Sequence, residues 1–248
     1  GSANIALGEL ALGGADTTGI NNIAIGAQAA DALTSGKCNI AFGTNALGAS
    51  TTGCNNVAMG LTALGGAALV GNRNVGIGEA AGDALTDGHS NVAIGRDALG
   101  AATTGHSNVA IGCLALGAGV TTSRDNIAIG SNSADALTSG AYNIALGKNA
   151  LGASTDNNDN IAIGQGAFAA SVNDADCNIA IGRQAMGGAD VSGADNIAMG
   201  RVAMDALTSG ASNIAMGVNA LGASTTGCDN IAIGQSALAV SDGDGDCN

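Results

Sequence analysis

The stretch Asn22-Ile23-Ala24-Ile25-Gly26 decides how this chain folds. Branched residues alternate with small ones, a period of two that predicts a strand. Ile23 and Ile25 share one face, and Asn22, Ala24 and Gly26 share the other. The pattern Asn-[Ile/Val]-Ala-[Ile/Leu/Met/Phe]-Gly starts at Asn4, Asn22, Asn39, Asn56, Asn74, Asn91 and Asn108. It continues at Asn126, Asn143, Asn160, Asn178, Asn196, Asn213 and Asn230, and Asn248 would open a fifteenth copy. Six spacings are 18 residues and eight are 17, a regularity that chance does not produce. Internal repetition on this scale signals a solenoid.

A longer period lies over the short one. Spacings of 18, 17 and 17 make a unit of 52 residues. The second copy of each triplet carries Asp-Ala-Leu-Thr, at Asp31, Asp83, Asp135 and Asp205. The third carries Ala-Leu-Gly-Ala, at Ala46, Ala98, Ala150 and Ala220. One extra 18-residue copy lies between Asn160 and Asn196. Duplication of the long unit, followed by one insertion, explains the arrangement.

Each copy therefore reads as one coil of an all-β, parallel β-solenoid with about 14 coils. A second apolar position, as in Ala46-Leu47 and Ala98-Leu99, is expected to start a return strand. Stacked coils then bury what one coil cannot. Each coil offers its Ile and Leu to the next. The expected core ladder comprises Ile23, Ile25, Ile40, Phe42, Ile94, Ile111, Ile129 and Ile163. The expected packing or ligand face carries Asn22, Ala24, Asn39, Ala41, Asn56 and Ala58. A hexapeptide left-handed helix would need an aliphatic residue every sixth position, but Asp31 lies six beyond Ile25. A propeller would leave the 17–18-residue period unexplained.

Composition agrees with a thin roll. Glycine contributes 42 and alanine 52 of 248 residues, with no proline and no tryptophan. Proline would remove a ladder hydrogen bond. The net charge of −13 argues against nucleic-acid binding. No apolar run is long enough to span a membrane. There is no nucleophile–base constellation, no phosphate loop and no aromatic-lined pocket signal, so neither an enzyme nor a cofactor is expected.

The repeated Asn-Ile-Ala-Ile-Gly-x-x-Ala-Leu resembles the head repeat of trimeric autotransporter adhesins, the YadA-like left-handed β-roll, and related phage tail-fibre repeats. The resemblance covers essentially the whole chain. It implies a left-handed roll with Ile23, Ile25 and their equivalents in the core and Ala24, Ala41 and Ala58 on a small-residue face where protomers pack. It also implies a homotrimer, an extracellular or cell-surface location and an adhesive role toward an unidentified cell-surface or matrix ligand. Copies here are longer than the commonest repeats of that family, and cysteine is unusual in it.

Several positions invite a sharper reading. Residues 1–3 are read as a cloning scar or linker, and residues 4–248 as a single repeat domain, a fragment of a longer fibre. Uncapped ends suggest end-to-end self-association into a filament as an alternative. Cys38 with Cys54, and Cys228 with Cys247, sit on neighbouring coils at nearly the same column and are candidate disulfides. His89 and His106, each two residues before its Asn, should stack. Asp242, Asp244 and Asp246 form a weak calcium candidate. Thr17, Thr34, Thr51, Thr86, Thr103 and Thr121 recur near one turn. A regular Thr column, or the Asn/Ala face, is the basis of an alternative ice-binding reading.

Overall fold

A computed structural model of the chain describes residues 1–14, 16–119, 122–172 and 175–239. It is all-β and forms a β-solenoid, and among the described residues every strand is three residues long and every pairing parallel. Two compact units divide it, Gly1–Arg124 and Asp125–Asn248. The first carries β1 (Ile5–Leu7), β2 (Ile23–Ile25), β3 (Ile40–Phe42), β4 (Val57–Met59), β5 (Val75–Ile77), β6 (Val92–Ile94) and β7 (Val109–Ile111). The second carries β8 (Ile127–Ile129), β9 (Ile144–Leu146), β10 (Ile161–Ile163), β11 (Ile179–Ile181), β12 (Ile197–Met199), β13 (Ile214–Met216) and β14 (Ile231–Ile233).

Within each unit the strands pair in sequence order and in strict register. Ile23 lies beside Ile40, Ala24 beside Ala41 and Ile25 beside Phe42. The same holds across the extra copy, where Ile161 neighbours Ile179 and Ile179 neighbours Ile197. The insertion is thus absorbed as one more coil.

Among the described residues the expected return strand does not form. After each Gly the chain runs through successive tight turns, as in Ala46 N–H to the Gly43 carbonyl at 3.3 Å and Gly48 N–H to the Asn45 carbonyl at 3.1 Å. These turns place non-glycine residues in the left-handed region, Leu47 at φ 51° and Leu99 at φ 50°. Such backbone is costly for a bulky side chain. It persists because the turns also bond from coil to coil: Leu47 N–H reaches the Ala63 carbonyl at 3.0 Å and Leu99 N–H the Ala115 carbonyl at 3.0 Å. The back of the roll is a ladder of turns rather than a second sheet.

The two strand faces are the reverse of those expected. Ala24, Ala41 and Ala58 are fully buried, as are Asn22, Asn39 and Asn56 to within 1%. Ile40 is 39% exposed, Phe42 52% and Ile129 40%. Ile23, Ile25, Ile94, Ile111 and Ile163 are only half-buried. So the Asn/Ala face is the interior, and the branched residues form the outer surface. The reason is thickness. The turn ladder presses so close to the strand that only Ala and Asn fit beneath it.

Large core side chains come instead from the turn ladder, and the 52-residue period records how they fill it. Most coils place a large residue eight positions after the Asn: Leu47, Leu64, Leu99, Leu116, Leu151, Phe168 and Met186, all buried. The second coils at Asn22, Asn74 and Asn126 have Ala30, Gly82 or Ala134 there, and bury Leu33, Leu85 or Leu137 three residues later, whereas the second coil at Asn196 buries both Met204 and Leu207. A Cβ on Gly82 would lie 2.8 Å from Leu64 Cδ2 and 3.1 Å from Leu85 Cδ1. Volume lost at one position is restored at the other, as close packing requires. Gly76, the one departure from the strand Ala, has the same cause: a Cβ there would meet Leu64 Cγ at 2.7 Å.

Candidate interaction surfaces

A spine of asparagine runs through the interior of each unit. Asn91 Oδ1 accepts the Asn108 backbone N–H at 3.0 Å, and Asn91 Nδ2 donates to the Gly105 carbonyl at 2.7 Å and to Asn74 Oδ1 at 3.1 Å. Each buried amide thus joins three successive coils. Both its donor and its acceptor are used, the condition for a polar group to be tolerated in a dry interior. Asn is fixed here by that bonding and is not free to meet a ligand.

Outside the spine, each unit presents a flat aliphatic face. In the first unit it consists of the pairs Ile5/Leu7, Ile23/Ile25, Ile40/Phe42, Val57/Met59, Val75/Ile77, Val92/Ile94 and Val109/Ile111. Seven strands about 4.8 Å apart make it about 29 Å long. Neighbouring rungs cover one another in part, but the outer surface of both columns is open to solvent. Soluble monomers rarely leave a continuous apolar patch of this extent uncovered.

Two residues before Asn56, Asn74, Asn91 and Asn108 lies a second ladder, built from side-chain acceptors. Cys54 N–H donates to Asn72 Oδ1 at 2.7 Å, Asn72 N–H to His89 Nδ1 at 2.8 Å, and His89 N–H to His106 Nδ1 at 3.1 Å. The two imidazoles stack as expected, 5.3 Å apart and 8° from parallel. Their role is to cap backbone donors. Among the described residues no group of three or more His, Cys, Asp or Glu is arranged to hold a metal ion.

The same ladder corrects the Cys38–Cys54 bridge. Both are free thiols. Cys38 lies one residue before its Asn, and Cys54 two before, so the columns differ by one position. Cys54 Sγ accepts the Lys37 N–H at 3.3 Å and donates to the Thr52 carbonyl at 3.4 Å. Cys228 repeats that arrangement with the Ala211 N–H at 3.4 Å and the Thr226 carbonyl at 3.6 Å. Its expected partner Cys247 lies outside the described residues, as do Asp242, Asp244, Asp246 and Thr121.

The threonine column is tied into the turns. Thr17 Oγ1 donates to the Leu33 carbonyl at 2.8 Å, Thr34 Oγ1 to the Thr51 carbonyl at 3.0 Å, and Thr86 Oγ1 to the Thr103 carbonyl at 3.1 Å. These three hydroxyls are spent on neighbouring coils.

Burial pushes the carboxyls of Asp83 and Asp205 above the ordinary carboxylate range, with Asp97 adding repulsion at Asp83. Both belong to the Asp-Ala-Leu-Thr turns. Asp205 Oδ1 is buried without a hydrogen-bond partner. Among the described residues no helix is long and apolar enough to cross a membrane. Comparison with family models, with curated proteins and with solved structures returned no match.

Proposed function

We propose that the chain is a non-enzymatic, structural and adhesive fibre segment, extracellular or on a cell surface, which self-associates through its aliphatic face. The observation that carries this reading is that face itself: branched residues that a lone chain would hide are displayed in two unbroken columns. Covering them by a second copy removes apolar area from water, the dominant favourable term in association. A homotrimer, as the resemblance implies, would bring three such faces together. Repetition supports adhesion by avidity, because identical coils offer identical weak contacts. Against the ice-binding alternative stand the burial of the Asn/Ala face and the engagement of the Thr17, Thr34 and Thr86 hydroxyls.

Sedimentation velocity tests the proposal. The wild-type chain is expected to sediment as a discrete oligomer. Ile94→Lys with Ile111→Lys should shift it to monomer while the circular dichroism spectrum stays unchanged. A wild type that is monomeric at every concentration, or a double variant that associates as tightly as wild type, would overturn it.

A further inference from the structure

The chain is acidic as a whole, yet one corner of its second unit is not. The residue directly after the strand glycine forms a column. In this unit its members are Ser131, Lys148, Gln165, Arg183, Arg201, Val218 and Gln235. Three of the seven Lys and Arg residues in the sequence fall there, and no Asp or Glu does. The register is fixed by the backbone. Gly166 N–H bonds the Lys148 carbonyl at 2.9 Å, Gln184 N–H the Gln165 carbonyl at 3.0 Å, and Val202 N–H the Arg183 carbonyl at 3.0 Å. Lys148, Gln165, Arg183 and Arg201 are all exposed.

Two hollows lie along this column. The larger, about 470 Å³, is lined by Asn132, Asp135, Lys148 and Asn149, with Gly152, Ala153 and Ala169. The smaller, about 290 Å³, is lined by Asn149, Gln165, Arg183 and Gln184, with Gly166, Ala169 and Gly187. They share Asn149 and Ala169, so they form one shallow groove along the stacking direction. Asp135, the one acid in its wall, accepts from Asn132 Nδ2 at 3.2 Å and is partly satisfied there.

We propose that this groove binds a linear acidic polysaccharide, its carboxylate or sulfate groups on Lys148 and Arg183 and its hydroxyls on the amides of Asn149, Gln165 and Gln184. Cations alternating with amides suit a chain that alternates charged and hydroxyl groups. Lys148 and Arg183 are two coils apart, about 10 Å, a spacing suited to charges on alternate sugars of an extended chain. Arginine adds a planar fork that matches carboxylate or sulfate oxygens. The net charge of −13 does not forbid this, because at physiological salt charges more than about 8 Å away are largely screened. No aromatic side chain lines the groove for stacking bases, which favours a glycan over a single-stranded nucleic acid. This site lies at the end of the strand and does not depend on the aliphatic face. Self-association and glycan binding can therefore fail separately.

The test is binding of the full chain to immobilised heparin fragments, oligogalacturonate, neutral dextran and single-stranded polynucleotide. Binding to heparin, to oligogalacturonate or to both supports the proposal and distinguishes sulfate from carboxylate as the recognised group. Neither dextran nor the polynucleotide should bind. Lys148→Gln with Arg183→Gln should weaken glycan binding roughly tenfold. Lys37→Gln with Arg73→Gln, in the first unit, should leave it unchanged. Sedimentation of each variant should match wild type. Absence of glycan binding at low salt, equal loss in the two double variants, or preferential capture of the polynucleotide would overturn the assignment.

Discussion

Removing one amide from the asparagine spine should be felt by the coils on both sides. In Asn91→Ala, the Asn108 N–H loses its acceptor and the Gly105 carbonyl loses the donor it has at 2.7 Å. Asn74 Oδ1 keeps the Asn91 backbone N–H at 3.0 Å, so damage on that side is smaller. Two buried groups left unpaired at about 1–3 kcal/mol each give a loss of about 2–6 kcal/mol. Asn91→Asp keeps the shape but replaces a donor with an acceptor facing Asn74 Oδ1 and the Gly105 carbonyl. That variant should be weakest at neutral pH and recover in acid, where the protonated carboxyl can donate. Guanidinium denaturation measures the loss. Hydrogen exchange should locate it, with protection falling in β6 and β7 and unchanged several coils away, as nearest-neighbour coupling requires. Asn55→Asp, on the exposed position beside the spine, is the control and should move stability by less than about 0.5 kcal/mol. A loss below about 1 kcal/mol in Asn91→Ala, or Asn91→Asp matching Asn55→Asp at neutral pH, would refute the reasoning.

Three further outcomes are expected. Gly95→Ala should destabilise strongly, because Gly95 has φ +129° and a Cβ there would lie 2.7 Å from the Gly112 carbonyl; strain of about 1–3 kcal/mol adds to that clash, read by thermal melting. Leu85→Ala should cost about 2–5 kcal/mol, and adding Gly82→Leu should restore much of it by converting this coil to the packing of its neighbours; a double variant no better than the single would count against the volume exchange. Asp205→Asn should raise the denaturation midpoint at neutral pH and leave it unchanged in strong acid. Burial raises the folded carboxyl above its ordinary range, so the folded state holds the proton better. Stability therefore falls as pH rises from the ordinary carboxylate range through the raised value, and the substitution should flatten that slope.

The coil, its length and its register were legible from Asn, Ala and Gly recurring at 17 or 18 residues, since a parallel ladder transmits spacing directly into register. Which face turns inward was not. A period of two puts Ile23 and Ile25 together without saying which side is the core. The family resemblance assigned them to the core, whereas the closeness of the turn ladder admits only Ala24 and Asn22. The missing return strand had no signal either. Leucine at positions such as Leu47 and Leu99 is not a turn residue, and its left-handed backbone is imposed by coil-to-coil bonds. The histidine stack was legible because both residues hold the same offset from their Asn. The thiol pair was misread because Cys38 and Cys54 differ by one, and one residue is a whole column in a ladder. The groove between Lys148 and Arg183 was missed, although its signal, a column of cations following the strand glycine, was in the sequence.

Identical rungs carry a hazard that the alternation of large residues answers. A chain made of equal coils could stack with one coil skipped and still satisfy every backbone bond and every Asn. The exchange between Leu64, Gly82 and Leu85 makes such a slip detectable. A skipped coil would set two bulky residues against each other or leave a void, and the energy of either error separates the correct stack from its near copies. The 52-residue period thus works as a numbering system. It lets a monotonous polymer distinguish one turn from the next while it folds.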